Sequence, residues 1–472
     1  MKSSRIGLCV ALLAVALAPL GCESSSSSSG GPVAPDSGVF TTPDGGDVDP
    51  PVKSECVAPT KGPTTHQSVN ADETWTADGS PHILIYDTTI YKTVTVEPCA
   101  EILIADGKQV TIRGEGKLIA EGTATKRIHI GAKDAAKPFA NIRTLSPSIA
   151  RFAYTTIDGG GVVGATLPVY AGTLMFAGDG SKPTQDTLFV DHVTIAGSLS
   201  NGIVLTENAG FAQGSNALVI KGSAVHPLSL LPRTVGTIPV GAYTGNGIDQ
   251  ILLPTTDGTI TETTTLHERG VPYLVGHQAT GGDIRVDTQP NKPGATLTIE
   301  PGVMMRFKKG GIFHISFFSS TSPAHGSLIA VGTPDKPIVF TSDAATPAAG
   351  DWLGLHFGEV PTAIDKLDYV RVEYAGGTSS SGSGSCPDNS EGNNDAAIRI
   401  SGWPGSQFIT NTTILGSLTN GIDRGWRDDR EKIDFLPTIK FTDVALCNET
   451  YPPNAANVCP QPASAVPCPK TP

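Results

Sequence analysis

Short runs in which apolar and polar residues alternate dominate the chain. Val94, Val96, Ile102 and Ile104 show the pattern, in which every second side chain is apolar. Gly, Asn, Asp or Pro separates successive runs, and no apolar pattern with the helical period runs as far as an average helix outside residues 1–21. Alternation with a period of two is typical of strands with one buried face. The pattern therefore predicts an all-β protein built from many short strands.

Four sequence blocks occur twice, in the same order. Residues 93–99 match 296–302, 116–123 match 326–333, 154–158 match 369–373, and 197–203 match 416–422. The offset grows only from 203 to 219 residues, which indicates small loop insertions in the second copy. We therefore predict two related halves. Leu118 and Ile119 should occupy the same kind of coil as Leu328 and Ile329, with alternate members facing the core.

Many short strands are compatible with a sandwich, a barrel or a β-solenoid. The sequence favours a solenoid because the strands recur with a coil-like period of roughly 20 to 30 residues. In addition, hairpins with Asn-Gly turns between long alternating strands are scarce. Asn201-Gly202 and Asn420-Gly421 each precede a new apolar strand, and both residue types tolerate the left-handed conformation of a tight corner.

Several segments of the second half resemble a known group of proteins. Residues 297–303, 326–333, 337–342 and 351–355 resemble bacterial right-handed parallel β-helix proteins of the pectin-lyase-like fold superfamily. The resemblance implies a right-handed parallel β-helix over residues 70 to 450. It implies no single activity, because the superfamily contains lyases, hydrolases and adhesins. The acidic and basic motifs that its lyases and hydrolases use are not written in this sequence.

The start of the chain resembles the signal sequence of bacterial lipoproteins. Lys2 and Arg5 precede an uncharged stretch, 6–20, which is too short for a comfortable membrane span. A small residue then precedes Cys22, as in a lipobox, although Pro19 stands where that motif prefers leucine. The resemblance implies cleavage before Cys22 and lipid on its thiol. An ordinary signal peptide that is cut nearby is the alternative.

The residue after this cysteine is Glu23 rather than aspartate, so the usual inner-membrane retention signal is missing. In a bacterium with two membranes, the resemblance then implies lipid anchoring to the outer membrane, with the domain facing the periplasm or the cell surface. The membrane would be a partner through the N-terminal lipid.

The predicted organisation has five parts. They are a lipoprotein signal peptide (1–21), a lipidated cysteine with a Ser-, Pro- and Asp-rich linker (22–65), a first β-helix half (66–250), a second half (251–450), and a Cys- and Pro-rich tail (451–472). The linker has little to bury, so we expect it to be disordered.

Composition narrows the partners and the covalent cross-links. The net charge of −12 argues against nucleic acid and against anionic lipid as partners.

Six cysteines remain after the signal peptide and Cys22, and an even number in an exported protein indicates disulfides. They are Cys56, Cys99, Cys386, Cys447, Cys459 and Cys468. Proximity suggests Cys56 with Cys99 and the other four among themselves. No Cys-x-x-Cys pair indicates zinc, and we expect no metal and no cofactor.

Isolated ionisable residues give no catalytic motif. Asp158 and Glu373 are equivalent in the two copies, but about nine coils, or roughly 40 Å, should separate them. They should therefore not act on one bond, and we interpret them as a shared turn feature. His192 stands before a strand where copy two has Asn411, and we expect a solvated turn residue there.

One patch of the second half has the composition of a sugar-binding surface. It comprises Trp426, Arg427, Asp428, Asp429 and Arg430, and Trp403 belongs to the same half. An exposed indole can stack on a sugar face while ionic groups bond to hydroxyls. The alternative is a solvated loop with local ion pairs, in which Trp426 covers the edge of a coil.

The sequence therefore favours a cell-envelope lipoprotein that presents a β-helix for a structural role or for binding a glycan or another envelope component. The alternative is a polysaccharide lyase or glycoside hydrolase that acts on extracellular polysaccharide. An enzyme requires three or more ionisable groups within about 10 Å on one face, with perturbed pKa values. We leave catalytic residues unassigned.

The anchor can be tested directly. Cells that express the chain should incorporate radioactive fatty acid into it, and Cys22→Ala should abolish the label, because the thiol is the expected acceptor. A Ser24→Ala variant serves as the control and should stay labelled. Label that persists in Cys22→Ala would rule out lipidation at this residue.

Overall fold

The computed structural model describes residues 53–162, 170–277, 281–288, 294–316, 325–379, 395–426 and 433–451. The predicted signal peptide, Cys22 and most of the linker lie outside these residues. Within them the regular secondary structure is almost entirely β-strand, with a few short 3₁₀ helices. No helix in the described part is both long and apolar enough to cross a bilayer.

The first part of the chain contains the following strands: β1 Thr64–Thr65, β2 Glu73–Trp75, β3 His82–Leu84, β4 Thr88–Ile90, β5 Thr93–Val96, β6 Glu101–Ile104, β7 Val110–Ile112, β8 Lys117–Glu121, β9 Ile128–Ala132, β10 Ile142–Thr144, β11 Ile149–Ala153, β12 Thr155–Asp158, β13 Gly172–Ala177, β14 Gln185–Ala196, β15 Asn201–Thr206, β16 Ala209–Phe211, β17 Asn216–Lys221, β18 Leu228–Leu230, β19 Gly241–Ala242 and β20 Ile251–Leu253.

The second part contains β21 Thr259–Ile260, β22 Thr264–Leu266, β23 Tyr273–Val275, β24 Asp283–Val286, β25 Ala295–Ile299, β26 Met304–Phe307, β27 Ile312–Ile315, β28 Gly326–Val331, β29 Ile338–Ser342, β30 Gly354–Phe357, β31 Lys366–Asp368, β32 Val370–Glu373, β33 Ala396–Ile400, β34 Ile409–Thr410, β35 Thr412–Ser417, β36 Asn420–Arg424 and β37 Ile439–Val444. The described 3₁₀ helices span Ala77–Gly79, Pro232–Thr237, Thr255–Asp257 and Leu436–Thr438.

The paired strands are parallel, and most of them pair with the strand three positions further along the chain. Each coil therefore contributes about three strands, and successive coils stack as a parallel β-helix. Four sheets result. Sheet 1 holds β1–β3, β5, β6, β8, β9, β11, β12, β14, β16, β17 and β19. Sheet 2 runs β4-β7-β10-β13-β15-β18-β20-β23-β26-β29-β32-β35-β37. Sheet 3 runs β21-β24-β27-β30-β33-β36, and sheet 4 runs β22-β25-β28-β31-β34. The predicted all-β parallel β-helix is confirmed.

Alternation decides which side chains fill the interior. Leu118 and Leu328 are fully buried, whereas Ile119 and Ile329 are half-buried on the outer face of β8 and β28. The predicted equivalence of these four residues is confirmed. Inward side chains from successive coils form one continuous apolar core. Burying each of the large aliphatic ones contributes about 1.5 to 3 kcal/mol.

The two copies share backbone corners as well as strands. Tyr154 and Tyr369 have positive φ values of 45° and 51°, and His192 and Asn411 have values of 52° and 46°. Tyr154, Tyr369 and Asn411 each lie between two consecutive strands, and His192 lies at the same point of its coil, within the long strand β14. Asn and His enter the left-handed region more readily than most residues. His192 is therefore a corner residue, and its ring stacks on Tyr154 at 4.5 Å.

Buried asparagines tie neighbouring coils together at a second kind of corner. Asn201 Nδ2 donates to the carbonyl of Ala171 at 2.8 Å, and its Oδ1 accepts from the backbone N–H of His226 at 3.2 Å. Asn420 makes the same two bonds, to Asp395 at 3.0 Å and from Cys447 at 3.2 Å. Each side chain therefore spans three successive coils.

The expected left-handed backbone at Asn-Gly is wrong. The positive φ values of these corners belong to Gly197 and Gly416, at 63° and 68°. Gly202 and Gly421 are required by space instead. A Cβ atom on Gly202 would lie 2.4 Å from Ile220 Cγ2, and one on Gly421 would lie 2.5 Å from the carbonyl oxygen of Asn448.

Sheet 2 changes its place in the coil where the copies meet. In copy one, sheet 2 contains the third strand of each coil, such as β15. In copy two, sheet 2 contains the second strand of each coil, such as β32, and the third strands form sheet 3. The change occurs at β20, which pairs with β18 at one residue pair and with β23 at three. Ser229 of sheet 2 and Thr256, just before sheet 3, line one cavity. Sheet 3 therefore continues the face that sheet 2 forms in copy one.

The disulfide between Cys56 and Cys99 is present, as predicted, and fastens the segment before β1 to the corner after β5. Cys447 is buried and disulfide-bonded, and its partner lies outside the described residues. Cys386, Cys459 and Cys468 also lie outside them. The domain boundaries stay a prediction.

The asparagine corners predict a matched pair of stability losses. Asn201→Ala and Asn420→Ala should each lower the free energy of unfolding by about 1 to 3 kcal/mol, because each leaves buried backbone groups without a partner. Urea unfolding followed by circular dichroism measures the change. Asn216→Ala at an exposed position is the control. Losses no larger than that of the control would show that the corner bonds are dispensable.

Candidate functional site

The patch that the sequence suggested is not an exposed aromatic platform. Trp426 is only 4% exposed and packs in the apolar core, so the expectation of an exposed ring is wrong. Trp403 is half-buried and packs against that core. Arg427, Asp428, Asp429 and Arg430 lie outside the described residues. Trp426 can therefore not stack on a sugar without leaving its packing site.

The two equivalent carboxylates do not form a site. Asp158 accepts a hydrogen bond from His129 at 2.9 Å on sheet 1. Glu373 lies on sheet 2 and pairs with Arg371. Different sheets and different partners agree with the expectation that they do not act together.

Copy two instead carries a row of ionisable side chains along sheet 3. We call it the ionisable row. It consists of Arg285, His314, His356, Arg399 and Asp423. Each member is directly opposite the next in the ladder of parallel strands, from β24 to β36. Adjacent strands lie about 4.8 Å apart, so consecutive side chains are within contact distance.

The β-helix scaffold does not require these residues. The corresponding positions of copy one, along β4, β7, β10, β13 and β15, hold Thr89, Thr111, Arg143, Met175 and Val204. Copy one therefore has one ionisable side chain where copy two has five. Since both copies fold into the same coils, the coil architecture does not by itself require charged side chains at these positions.

Burial increases along the row. The Arg285 side chain is 36% exposed at the end near copy one. His356 is 5% exposed, and Asp423 is completely buried. Burying ionisable groups is costly unless they are paired or neutral, so the deep end of the row opposes folding unless its partners compensate.

Asp283 organises the open end. Its Oδ1 lies 2.9 Å from Nδ1 of His314, and its other oxygen pairs with Arg285. A carboxylate on one ring nitrogen orients the imidazole and leaves Nε2 as the second polar atom of the ring. His314 is thereby held toward the next member of the row, and its ring meets that of His356 edge-on at 5.4 Å.

His356 is the most perturbed group of the row. Burial holds the pKa of His356 well below its ordinary value, and the neighbouring His314 and Arg399 lower it further. Its imidazole is therefore neutral at physiological pH. Nε2 is buried and has no hydrogen-bond partner among the described residues. Such an atom is costly in a folded protein and is typical of a site that awaits a ligand or a water.

The last coil closes the deep end. Arg399 Nε lies 3.7 Å from Asp423 Oδ2, and Asp423 Oδ1 accepts from the Thr450 hydroxyl at 3.1 Å. Beside them Arg424 pairs with Glu449, and burial raises the pKa of Glu449 to about 7. The Arg399–Asp423 pair therefore contacts the last coil through Thr450, and Arg399 is opposite His356 in the ladder.

The row combines a neutral imidazole, a second imidazole oriented by a carboxylate, a guanidinium group on either side of this pair, and the carboxylate of Asp423 at the buried end. It offers hydrogen-bond donors and acceptors and one acid–base pair of histidines. In the described part of the chain, no three His, Cys, Asp or Glu side chains are placed to hold a metal ion.

Sequence reasoning missed the row, although a signal existed. His314, His356 and Arg399 each stand between two core residues, as in Phe313-His314-Ile315. An ionisable residue at the centre of an apolar triplet recurs in consecutive coils of copy two. The register between those coils, which the sequence alone does not supply, is needed to align the triplets.

The pKa shift of His356 predicts a pH dependence. Below about pH 6.5 the unfolded chain binds a proton at this residue while the folded chain does not, so stability should fall as the pH falls. His356→Gln should remove up to about 1.4 kcal/mol of that loss per pH unit. Urea unfolding at pH 7 and pH 5 measures it. If His325→Gln, at an exposed position, flattens the profile equally, burial of His356 is not the cause.

One comparison with known proteins gives a match. Residues 286–363 match the family model of a pectate-lyase-like β-helix domain. The matched segment contains His314 and His356 and includes strands of sheets 2, 3 and 4. The search of curated proteins and the search of solved structures gave no match. Together with the parallel strands, this match supports the pectin-lyase-like superfamily for the fold and suggests a carbohydrate-related role.

Proposed function

We propose that this protein is a lipid-anchored envelope protein whose β-helix binds a glycan, and that the ionisable row is its binding surface. The N-terminal sequence motif supports the anchor and an outer-membrane location. The match to a pectate-lyase-like β-helix domain supports a carbohydrate ligand. Both statements go beyond what the fold alone requires.

One observation carries the proposal. Copy two retains five aligned ionisable residues where copy one, on the same scaffold, has threonines, methionine and valine around a single arginine. Buried charges of this kind reduce stability or contribute little to it, and perturbed groups concentrate at functional sites. A ligand that bonds to the row, and above all to Nε2 of His356, explains why copy two has these residues.

The chemistry of the row suits a sugar. Guanidinium groups donate to hydroxyl and carboxylate oxygens, and bidentate contacts add specificity. The carboxylate of Asp283 accepts from hydroxyls. Among the described residues, no partner bonds to Nε2 of His356, and a sugar hydroxyl can supply one. The ligand would enter at Arg285, because Arg285 is the most exposed member of the row.

A matched pair of variants tests the proposal. Arg285→Gln should weaken binding to the best ligand of a panel of neutral and uronic acid oligosaccharides by at least about tenfold, because a half-exposed donor is lost without loss of packing. Arg143→Gln changes the arginine of the copy-one row and should leave the affinity within about twofold. Calorimetric titration measures both. Equal effects, or no binding by the wild type, would contradict the proposal.

A second function, cleavage of a polysaccharide as lyase or hydrolase, is favoured by one observation. A neutral His356 lies beside a carboxylate-oriented His314 and beside Arg399, which is an arrangement suited to proton transfer next to a cation. In that case His356→Gln should lower kcat at least about a hundredfold and leave KM nearly unchanged. Release of reducing ends or unsaturated products measures turnover. Binding without turnover would leave only the first function.

A further inference from the structure

A groove at the junction of the two copies lies apart from the buried part of the row. It has a volume of about 880 Å³. Its wall comprises Lys182 from the corner after β13, Arg233 from a 3₁₀ helix, and the segment from Asp257 to Thr263 around β21. The groove therefore follows the coil corners across the place where sheet 2 changes position.

A second cavity, of about 540 Å³, adjoins this groove, and Gly180 and Asp257 line both. Its lining is mixed: Tyr170, Met175 and Leu231 lie beside polar residues such as Asn208. The two cavities together offer many hydroxyl groups and, among their lining residues, one aromatic ring with apolar neighbours. We call the pair the junction groove.

The cations of the junction groove are already paired. Arg233 pairs with Asp257, and Lys182 pairs with Asp179 at 3.1 Å. The lining also holds the carboxylates of Glu262 and Asp287. An anionic sugar would have to displace a paired carboxylate and would face the others, whereas an uncharged sugar leaves the pairs intact and can still use their spare donor and acceptor positions.

We infer that the junction groove binds a neutral oligosaccharide. A sugar ring has an apolar face that stacks on an aromatic ring such as Tyr170, and hydroxyls that bond to threonine, carboxylate and guanidinium groups. Arg233 Nε is buried without a hydrogen-bond partner among the described residues. This inference rests on the proposed function for the kind of ligand, but it assigns a different site and an uncharged sugar.

The groove also connects with the row. Thr259 lines the groove and is directly opposite Arg285 in the ladder between β21 and β24. A glycan chain that lies in the junction groove can therefore continue to the open end of the ionisable row. The two sites would then read neighbouring units of one polymer.

The test uses the purified full chain and three neutral hexasaccharides: α-1,4-linked glucose, β-1,4-linked glucose and β-1,4-linked N-acetylglucosamine. One of them should bind with a one-to-one stoichiometry in calorimetric titration. Tyr170→Ala should weaken that binding at least about tenfold, because the stacking ring is lost. Tyr170→Phe keeps the ring and should stay within about twofold. Arg233→Lys keeps the positive charge that pairs with Asp257 but removes the planar guanidinium group and its several N–H donors. It should weaken binding about tenfold. Melting temperatures check that each variant folds.

The outcomes separate the two proposals. Loss with Tyr170→Ala and Arg233→Lys supports the junction groove, with or without a smaller loss for Arg285→Gln, because a glycan that continues to the row also contacts Arg285. Loss with Arg285→Gln alone would overturn the groove and leave the row as the glycan site. No binding of any of the three hexasaccharides would overturn the groove, while binding of uronic acid oligosaccharides would then still support the proposed function.

Discussion

Backbone hydrogen bonds between successive coils are the interaction on which the rest of this structure depends. In a parallel β-helix each strand pairs with the strand one coil later, so the register of one coil fixes the register of the next. Side chains of one kind then align in rows along the sheets. Inward rows make the apolar core, and the buried asparagines at the corners hold the coil spacing from inside the turns. Outward-facing side chains do not pack in the core, so residues of different chemistry can occupy these positions without changing the fold.

The two copies of the duplication share their backbone geometry but differ in their outward-facing residues. Both copies bury leucine at the same strand position and turn with a positive φ at the same corners, although one corner uses His192 and the other Asn411. The outer row of the shared face diverges from Met175 and Val204 in copy one to Arg399 and Asp423 in copy two. Conserved backbone geometry with divergent outward chemistry is the pattern of a scaffold on which one copy carries a site. The junction between the copies adds a groove, because sheet 2 changes position there and the coil corners no longer stack regularly.

Strand alternation and the internal repeat were sufficient to predict the fold. Leu118 and Leu328 face the core as expected, and the Cys56–Cys99 disulfide follows from proximity in sequence. The site was not predictable in the same way. Its five residues come from five coils separated by long stretches of chain, and their alignment depends on strand register, which a single sequence does not state. The charged neighbours of Trp426 in sequence suggested an exposed ring, but the ring packs in the apolar core of the last coils. The Asn-Gly corners were located correctly, but Gly202 and Gly421 are needed because neighbouring atoms leave no space for a Cβ atom, not because the backbone is left-handed there.

If the ionisable row serves a ligand at the expense of stability, replacing its buried charges should weaken binding without weakening the fold. The double variant Arg399→Met and Asp423→Val makes this replacement, because it introduces the residues that copy one has at the same positions. Replacing a buried ion pair with apolar residues of similar volume is often neutral or stabilising by about 1 to 4 kcal/mol. The account predicts that the free energy of unfolding is unchanged or higher while glycan affinity falls at least about tenfold. A variant that unfolds more readily and binds glycan as well as the wild type would contradict it, and the row would then be a structural feature of copy two.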